Sequence, residues 1–365
     1  MKISLCGLLL SSFLVASCGQ NNASDSEQAS TDADLQLAPS THRFQKSWAT
    51  DAARQLQTYY GDNALWNSGW WQSANALTAV ADFMRLSGNR DYLWVIDKTF
   101  DAYKNNGFMN EYFDDNGWWG LAWIRAYDLT GDWKYMDAAM KIADDMEATG
   151  WDSTCNGGVW WNRSKESKNA VENELFIKLT AAIHNRKAGD DQYLALSKKA
   201  WSWFFASGLV DDRSVVSDKL VNCQKEQNSP AWTYNQGIIL GGAVELYKAT
   251  NDTAYLSQAQ KVAYGTIQYG SSNGILTEAT DGSCGGCNGD ERLFKGVFMR
   301  NLREFYAVKR DPVVANYLQS NAETAWNHAR SSDNFYGFHW NSGIDSKDAG
   351  RQTSALDLMN GLFAL

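Results

Sequence analysis

Two kinds of helical segment alternate along residues 41–365. One kind is apolar and rich in small residues nearly all round, as in SANALTAVADFMRL (73–86), ELFIKLTAAIHNR (174–186) and GIILGGAVELYKAT (237–250). The other carries more charge and a single apolar stripe, as in DYLWVIDKTFDAYK (91–104) and YLALSKKAWSWFF (193–205). A segment apolar on every side is buried on every side, whereas a one-stripe helix covers a core from outside. The pattern therefore predicts inner helices and outer helices in alternation.

The joints between them repeat. SGNRDYL ends at Leu93, TGDWKYM at Met136, AGDDQYL at Leu194 and TNDTAYL at Leu256, with a weaker echo in KRDPVVANYL ending at Leu318. In each, Gly or Asn ends one helix in the left-handed conformation, Asp or Asn caps the next, and Tyr with Leu or Met opens its buried face. A repeat of this kind marks a recurring helix–turn–helix unit. Outer and inner partners fall at roughly 41–60 with 70–87, 91–106 with 116–129, 133–149 with 170–187, 191–206 with 233–249, 253–269 with 293–308 and 312–329 with 352–364. No strand run with period two competes. Because the last inner segment, ALDLMNGLFAL, is too apolar to cap an exposed end, the predicted architecture is an all-α closed (α/α)6 barrel of six helix hairpins rather than an open solenoid.

Loop length locates the function. Turns from inner to outer helices are short, but the connections back are long: 61–69, 107–115, 150–169, 207–232, 270–292 and 330–351. All six long loops must gather at the N-termini of the inner helices, and long loops on a rigid scaffold are where binding sites collect. An active-site cleft is expected there. Within this rim, FDDNGWWG (113–120) sets Asp114 and Asp115 side by side at a helix entrance. The dipole and unpaired N–H groups favour an ionised carboxylate, while a second acid touching the first is pushed toward protonation. That split suits an acid and nucleophile pair. The competing reading is a capping Asp followed by a solvated one.

Composition sharpens the substrate. The rim and first inner turns hold Trp66, Trp70, Trp71, Trp118, Trp119, Trp151, Trp160, Trp161, Trp232 and Trp340 of the chain's 17 Trp, along with Tyr112, Tyr234 and Tyr336. Aromatic faces backed by Asn, Gln and Asp suit sugar rings, although Trp in Gly-rich loops also simply fills a lid. A formal charge of −9 argues against a nucleic-acid partner. Four His show no metal-ligand spacing, and no GxSxG, P-loop or HExxH run occurs, so carboxylate chemistry is expected, with neither metal nor cofactor.

The leader sets the compartment. Lys2, an apolar run from Ile3 to Val15, and small residues before Cys18 read as a signal peptide over 1–17. LVASC resembles the lipobox of bacterial lipoproteins, which implies cleavage before Cys18 and a lipid on its thiol. Residues 18–41 are polar and read as a flexible tether, leaving 42–365 as the folded domain. The competing reading is an ordinary secretion signal. Cys155, Cys223, Cys284 and Cys287 all fall in long loops; four Cys allow three pairings, of which SCGGC closing on itself would leave Cys155 with Cys223.

Taken together, WWQSANAL (70–77), FDDNGWWGLAW (113–123), KNAVENELF (168–176), TYNQGIILGG (233–242) and CNGDERLFKGVFMRNL (287–302) resemble, in order, segments of glycoside hydrolase family 76, the bacterial endo-α-1,6-mannanases and their fungal wall-remodelling relatives. The similarity covers roughly Trp48 to Leu365. It implies Asp114 as nucleophile and Asp115 as acid/base of a retaining, endo-acting hydrolase of α-1,6-mannan, with carboxyl groups about 5 Å apart. Gln72, Asn75, Asn169, Asn173, Tyr234, Asn235, Asp290 and Lys295 match motif positions and become candidate substrate-binding residues, joined by Trp71, Trp118 and Trp119 as stacking faces. Asp290 and Lys295 have a competing reading as a structural pair. A monomeric lipoprotein at the outer membrane or cell surface is the expected setting. Two other functions stay open: an unsaturated uronyl hydrolase, for which Arg163, Lys165 and Lys219 are the candidate cations, and a non-catalytic glycan-binding lipoprotein.

Overall fold

The structure, a computed structural model, describes residues 46–281 and 289–365. The leader, Cys18, the tether, Cys284 and Cys287 lie outside the described residues. Among the described residues twelve α-helices dominate: α1 (Ser47–Gln57), α2 (Trp70–Ser87), α3 (Leu93–Tyr103), α4 (Phe113–Thr130), α5 (Trp133–Asp145), α6 (Ala170–His184), α7 (Gln192–Ala206), α8 (Thr233–Thr250), α9 (Thr253–Tyr269), α10 (Glu291–Val308), α11 (Pro312–His328) and α12 (Ala349–Asn360). Even-numbered helices form an inner ring in which each packs on the next and α12 returns to α2. This is the (α/α)6 barrel that the alternation predicts.

Burial follows the two sequence patterns. Every residue of α8 from Thr233 to Leu246 is buried, as is α6 from Ala170 to Ile183. By contrast, α9 buries only a stripe including Leu256, Ala259, Val262, Ala263 and Thr266. At the joints, Gly131 and Asn251 end α4 and α8 in the left-handed conformation. Asp132 and Asp252 then accept from the backbone N–H groups of Lys134 at 3.0 Å and Ala254 at 2.9 Å, opening α5 and α9. Small residues set how closely the ring packs. A β-carbon on Gly237 would lie 2.5 Å from Cα of Phe298, and one on Gly296 would lie 2.4 Å from Cα of Ser354, so neither position has room for a side chain.

Two details differ from the sequence reading. Helices α5, α7 and α9 lie mainly against α4, α6 and α8, the inner helices they follow, and α1 lies on α12. The tight hairpin is therefore inner then outer, because short turns hold helices together while long rim loops let the next inner helix step around the ring. The rim also contains short strands: β1 (Lys168–Asn169), β2 (Lys219–Val221) and β3 (Gln224–Lys225) in one sheet, and β4 (Ser271–Ser272) with β5 (Ile275–Leu276) in another. Two or three residues are too few to show an alternating pattern. Strand β1 pairs with β2 antiparallel, Lys168 opposite Leu220. A disulfide between Cys155 and Cys223 links the same two loops.

Candidate active site

Asp114 and Asp115 occupy the first turn of α4, after Tyr112 in extended conformation. The indole N–H of Trp161 donates to Oδ2 of Asp114 at 3.2 Å, and Oδ1 has no hydrogen-bond partner. Desolvation, reinforced by the charge of Asp115, pushes Asp114 up to about 8. Asp115 is pushed up to about 6, again chiefly by desolvation, opposed by the Asn110 amide that donates to its Oδ2 at 2.6 Å. Between those values the pair as a unit holds one proton. Desolvation thus outweighs the helix dipole at both positions.

Five of the six inner-helix entrances converge here on a cleft of about 250 Å³. Its lining is Trp71, Asp114, Trp118, Trp161, Asn169, Val171, Asp218, Trp232, Tyr234, Asp290, Glu291 and Phe294. The aromatics brace one another: Trp71 stacks on Trp118 at 5.6 Å and Tyr234 on Phe294 at 4.0 Å. Asp290 accepts from the Trp71 indole at 2.9 Å and the Gln72 amide at 2.7 Å, which fixes that carboxylate and the Trp71 ring together. Asp290 also raises Asp115 through its charge. Asp218 is pushed up to about 6 by desolvation.

Of the residues singled out from sequence, Trp71, Asp114, Trp118, Asn169, Tyr234 and Asp290 line the cleft, and Asp115 adjoins it through Asn110 and Asp290. The others stand behind it. Gln72 holds Asp290. Asn75 is buried, donating to the Trp71 carbonyl at 3.3 Å and accepting from Arg300. Asn173 brackets Val159, accepting from its N–H at 2.7 Å and donating to its carbonyl at 3.0 Å, so it braces a rim loop. Asn235 is fully buried, and Trp119 packs between Trp70, Phe108 and Trp123 in the core. Lys295 does not bond Asp290. It is buried, donates to the Phe338 carbonyl at 2.6 Å and lies over the Phe338 ring.

Of the thirteen rim aromatics, Trp71, Trp118, Trp161, Trp232 and Tyr234 line the cleft and the other eight do not, Trp66, Trp119, Trp340 and Tyr336 among them being buried. Sequence could not separate the two sets because both occupy the same loops. Asn110, Asp218, Val171, Glu291 and Phe294 escaped it altogether. Asn110 had a signal, since its side chain accepts from the Tyr112 N–H at 2.8 Å in a local turn just before the helix. Beneath the cleft, Glu172 and Glu174 are buried and held well above the ordinary carboxylate range, first by desolvation and then by neighbouring acids, Asp114 for Glu172 and Glu172 for Glu174. Among the described residues, no group of three or more His, Cys, Asp or Glu side chains is placed to hold a metal ion.

Comparison with known proteins places the chain among named relatives. Mannan endo-1,6-alpha-mannosidase DCW1 of Candida albicans is 28% identical over 338 residues, covering 82% of this chain and 73% of that protein. The GH76A alpha-1,6-mannanase from Salegentibacter sp. superposes with a TM-score of 0.76 at 25% identity, covering 87% of this chain and 98% of that one. An inactive variant of that enzyme, with two consecutive aspartates changed to asparagine and alpha-1,6-mannotriose bound, superposes with a TM-score of 0.77 at 24% identity over the same shares. The profile of glycosyl hydrolase family 76 matches residues 44–365, and the chain belongs to that family.

Proposed function

We propose that the protein is a retaining, endo-acting hydrolase of α-1,6-mannan, with Asp114 as nucleophile and Asp115 as acid/base. The observation that carries this reading is the acid pair, sharing one proton near neutrality, in a cleft walled by Trp71, Trp118, Trp161, Trp232 and Tyr234. Related enzymes bear mannan endo-1,6-alpha-mannosidase and alpha-1,6-mannanase names, and the Salegentibacter enzyme is inactive with two consecutive aspartates replaced. Aromatic faces bind the apolar side of sugar rings, and four lining carboxylic acids, Asp114, Asp218, Asp290 and Glu291, suit the positive charge that develops at the anomeric carbon. A cleft of about 250 Å³, just below the usual range of roughly 300–1,000 Å³, fits a short stretch of the polymer, with the rest lying across the open rim.

In these roles the carboxylate of Asp114 attacks the anomeric carbon, Asp115 gives its proton to the departing oxygen, and Asp115 then activates water to release the covalent intermediate. Desolvation raises both acids, and a sugar hydroxyl donating to Asp114 would favour the ionised form that attack requires. Uronyl hydrolysis is disfavoured because its candidate cations are committed elsewhere: Arg163 to Asp145 at 2.8 Å, Lys165 to Asp152 at 3.1 Å and Lys219 to Glu226 at 3.3 Å. A silent glycan-binding role leaves the shifted acid pair without a use.

Asp114→Asn and Asp115→Asn are each expected to abolish release of mannose oligosaccharides from debranched mannan while mannan binding persists. Azide separates the roles. Rescue of Asp115→Ala should give the azide with retained configuration and rescue of Asp114→Ala the inverted one; the opposite pattern would exchange the two assignments. Wild-type turnover should be nearly flat in salt, whereas a site built on a uronate–cation pair would lose rate as salt rises. We further read residues 1–17 as the export leader and Cys18 as the lipid-bearing residue of a monomer tethered by residues 18–41 outside the cytoplasm. The Cys155–Cys223 disulfide supports an oxidising compartment. Metabolic labelling with a fatty acid, lost in Cys18→Ala, tests it.

A further inference from the structure

The folded body begins at the end of the barrel opposite the cleft. Lys46, the first described residue of the barrel, sits over the ring of Phe363 at 5.6 Å, just beyond the C-terminal end of the inner helix α12. Among the described residues only two Trp are exposed, Trp94 at 53% and Trp133 at 47%. Each stands in the first turn of an outer helix, α3 and α5, immediately after a short turn at this closed end. The two helices are neighbours, joined by the Lys134–Asp97 ion pair at 2.8 Å. Neither Trp faces the sugar cleft. No helix among the described residues is long and apolar enough to cross a membrane.

From these observations, and resting on the reading of Cys18 as a lipid anchor, we propose that the closed end of the barrel is a lipid-facing surface on which Trp94 and Trp133 settle, so that the cleft opens away from the membrane. Trp is the side chain that partitions to the headgroup level, with an apolar ring and an N–H that stays hydrated. Lys98 and Lys134 beside Asp97 and Asp132 keep this patch at that level rather than in the hydrocarbon. The distances allow it. Twenty-seven residues separate Cys18 from Lys46. The 18-residue inner helices make the barrel about 27 Å tall. The chain enters the barrel at Lys46 on the closed end, so contact there is the shortest path from the anchor, whereas contact through the rim adds the full height of the barrel. A polymer approaching from solution then meets an unobstructed cleft.

The test uses the full-length lipidated protein on vesicles of phosphatidylcholine and phosphatidylglycerol, with Cys18→Ala protein free in solution as reference. Vesicle flotation reports the anchor, and amide hydrogen exchange reports the orientation. Exchange should slow severalfold at residues 88–98 and 130–137 and stay unchanged in rim loops 107–115 and 150–169. The double variant Trp94→Ala/Trp133→Ala should still float and should lose that slowing. Floating protein with no slowing at the closed end, or with slowing at the rim, overturns the orientation while leaving the anchor intact. Slowing at 88–98 and 130–137 in the Cys18→Ala protein without vesicles as its own concentration rises would assign the patch to a second protein copy and overturn the proposal. Failure of the full-length protein to float overturns the anchor reading, and the orientation with it.

Discussion

Asn110 is the side chain that most directly sets the charge of the acid pair. Its amide donates at 2.6 Å to Asp115, while its own backbone is held by Asn116, whose Oδ1 accepts from the Asn110 N–H at 2.8 Å. A hydrogen bond to a charged group is worth about 1.5 kcal/mol or more, and one pKa unit is about 1.4 kcal/mol. Removing it in Asn110→Ala should raise the pKa of Asp115 by on the order of one unit and so move the kcat/KM profile toward higher pH. An unmoved profile would mean that Asn110 does not stabilise the ionised Asp115. The acids themselves were legible in sequence because they are adjacent; Asp218 and Phe294 were not, because only folding brings them within reach of Asp114.

Among elements, the rim loop over residues 150–169 depends most on long-range ties. Lys168 is buried and donates to Asp152 at 3.0 Å and to the carbonyls of Thr154, Gly157 and Gly158 at 2.7, 2.6 and 2.8 Å. The Cys155–Cys223 bridge and the β1–β2 pairing then fasten this loop to the one before α8. Cys155→Ala/Cys223→Ala should cost about 2–4 kcal/mol in a denaturant melt. Hydrogen exchange in the variant should speed up more in residues 150–169 and 207–232 than in α6 or α8, because the inner helices keep their packing on both sides. Equal acceleration everywhere would show that the bridge supports the whole barrel rather than its rim. Helices and turns were predictable from local chemistry. The strands were not, since two or three residues show no period and the partner of β1 lies some fifty residues away.

Across the whole molecule, charge is sorted along the barrel axis. Acids crowd the inner-helix entrances, while Arg125, Arg186, Arg303 and Lys248 gather with Asp128 and Glu304 around a cavity of about 210 Å³ at the closed end. Cations there complement the helix C-termini. Asp82 is held below the ordinary range by Arg303 and Arg125 against the cost of desolvation, and Glu304 by Arg125 and Lys178. Their stabilisation is present above the ordinary carboxylate pKa and fades as pH falls below it. The opposite sign applies to Asp114 at about 8, Asp115 and Asp218 at about 6, and Glu278 and Asp357 at about 7. The folded protein keeps protons on these that the unfolded chain releases, so stability falls as pH rises from about 4 to 8. Tm should therefore be highest near pH 5 and decline toward pH 8, with a smaller decline in Asp114→Asn. A Tm that rises over this interval would contradict the raised values.

By itself the sequence determined the helices, their inner and outer roles, the closed ring, the end that carries the cleft and the adjacent acid pair. Each depends on neighbours within a few residues or on a periodicity repeated six times. Tertiary structure alone decided which rim aromatics face sugar and which fill the core, that Lys295 supports Phe338 instead of the cleft, that Arg163, Lys165 and Lys219 are already paired, and that both acids of the pair are raised. Those outcomes depend on desolvation and on partners far away in the chain, and neither quantity exists until five helix entrances meet at one end of the barrel.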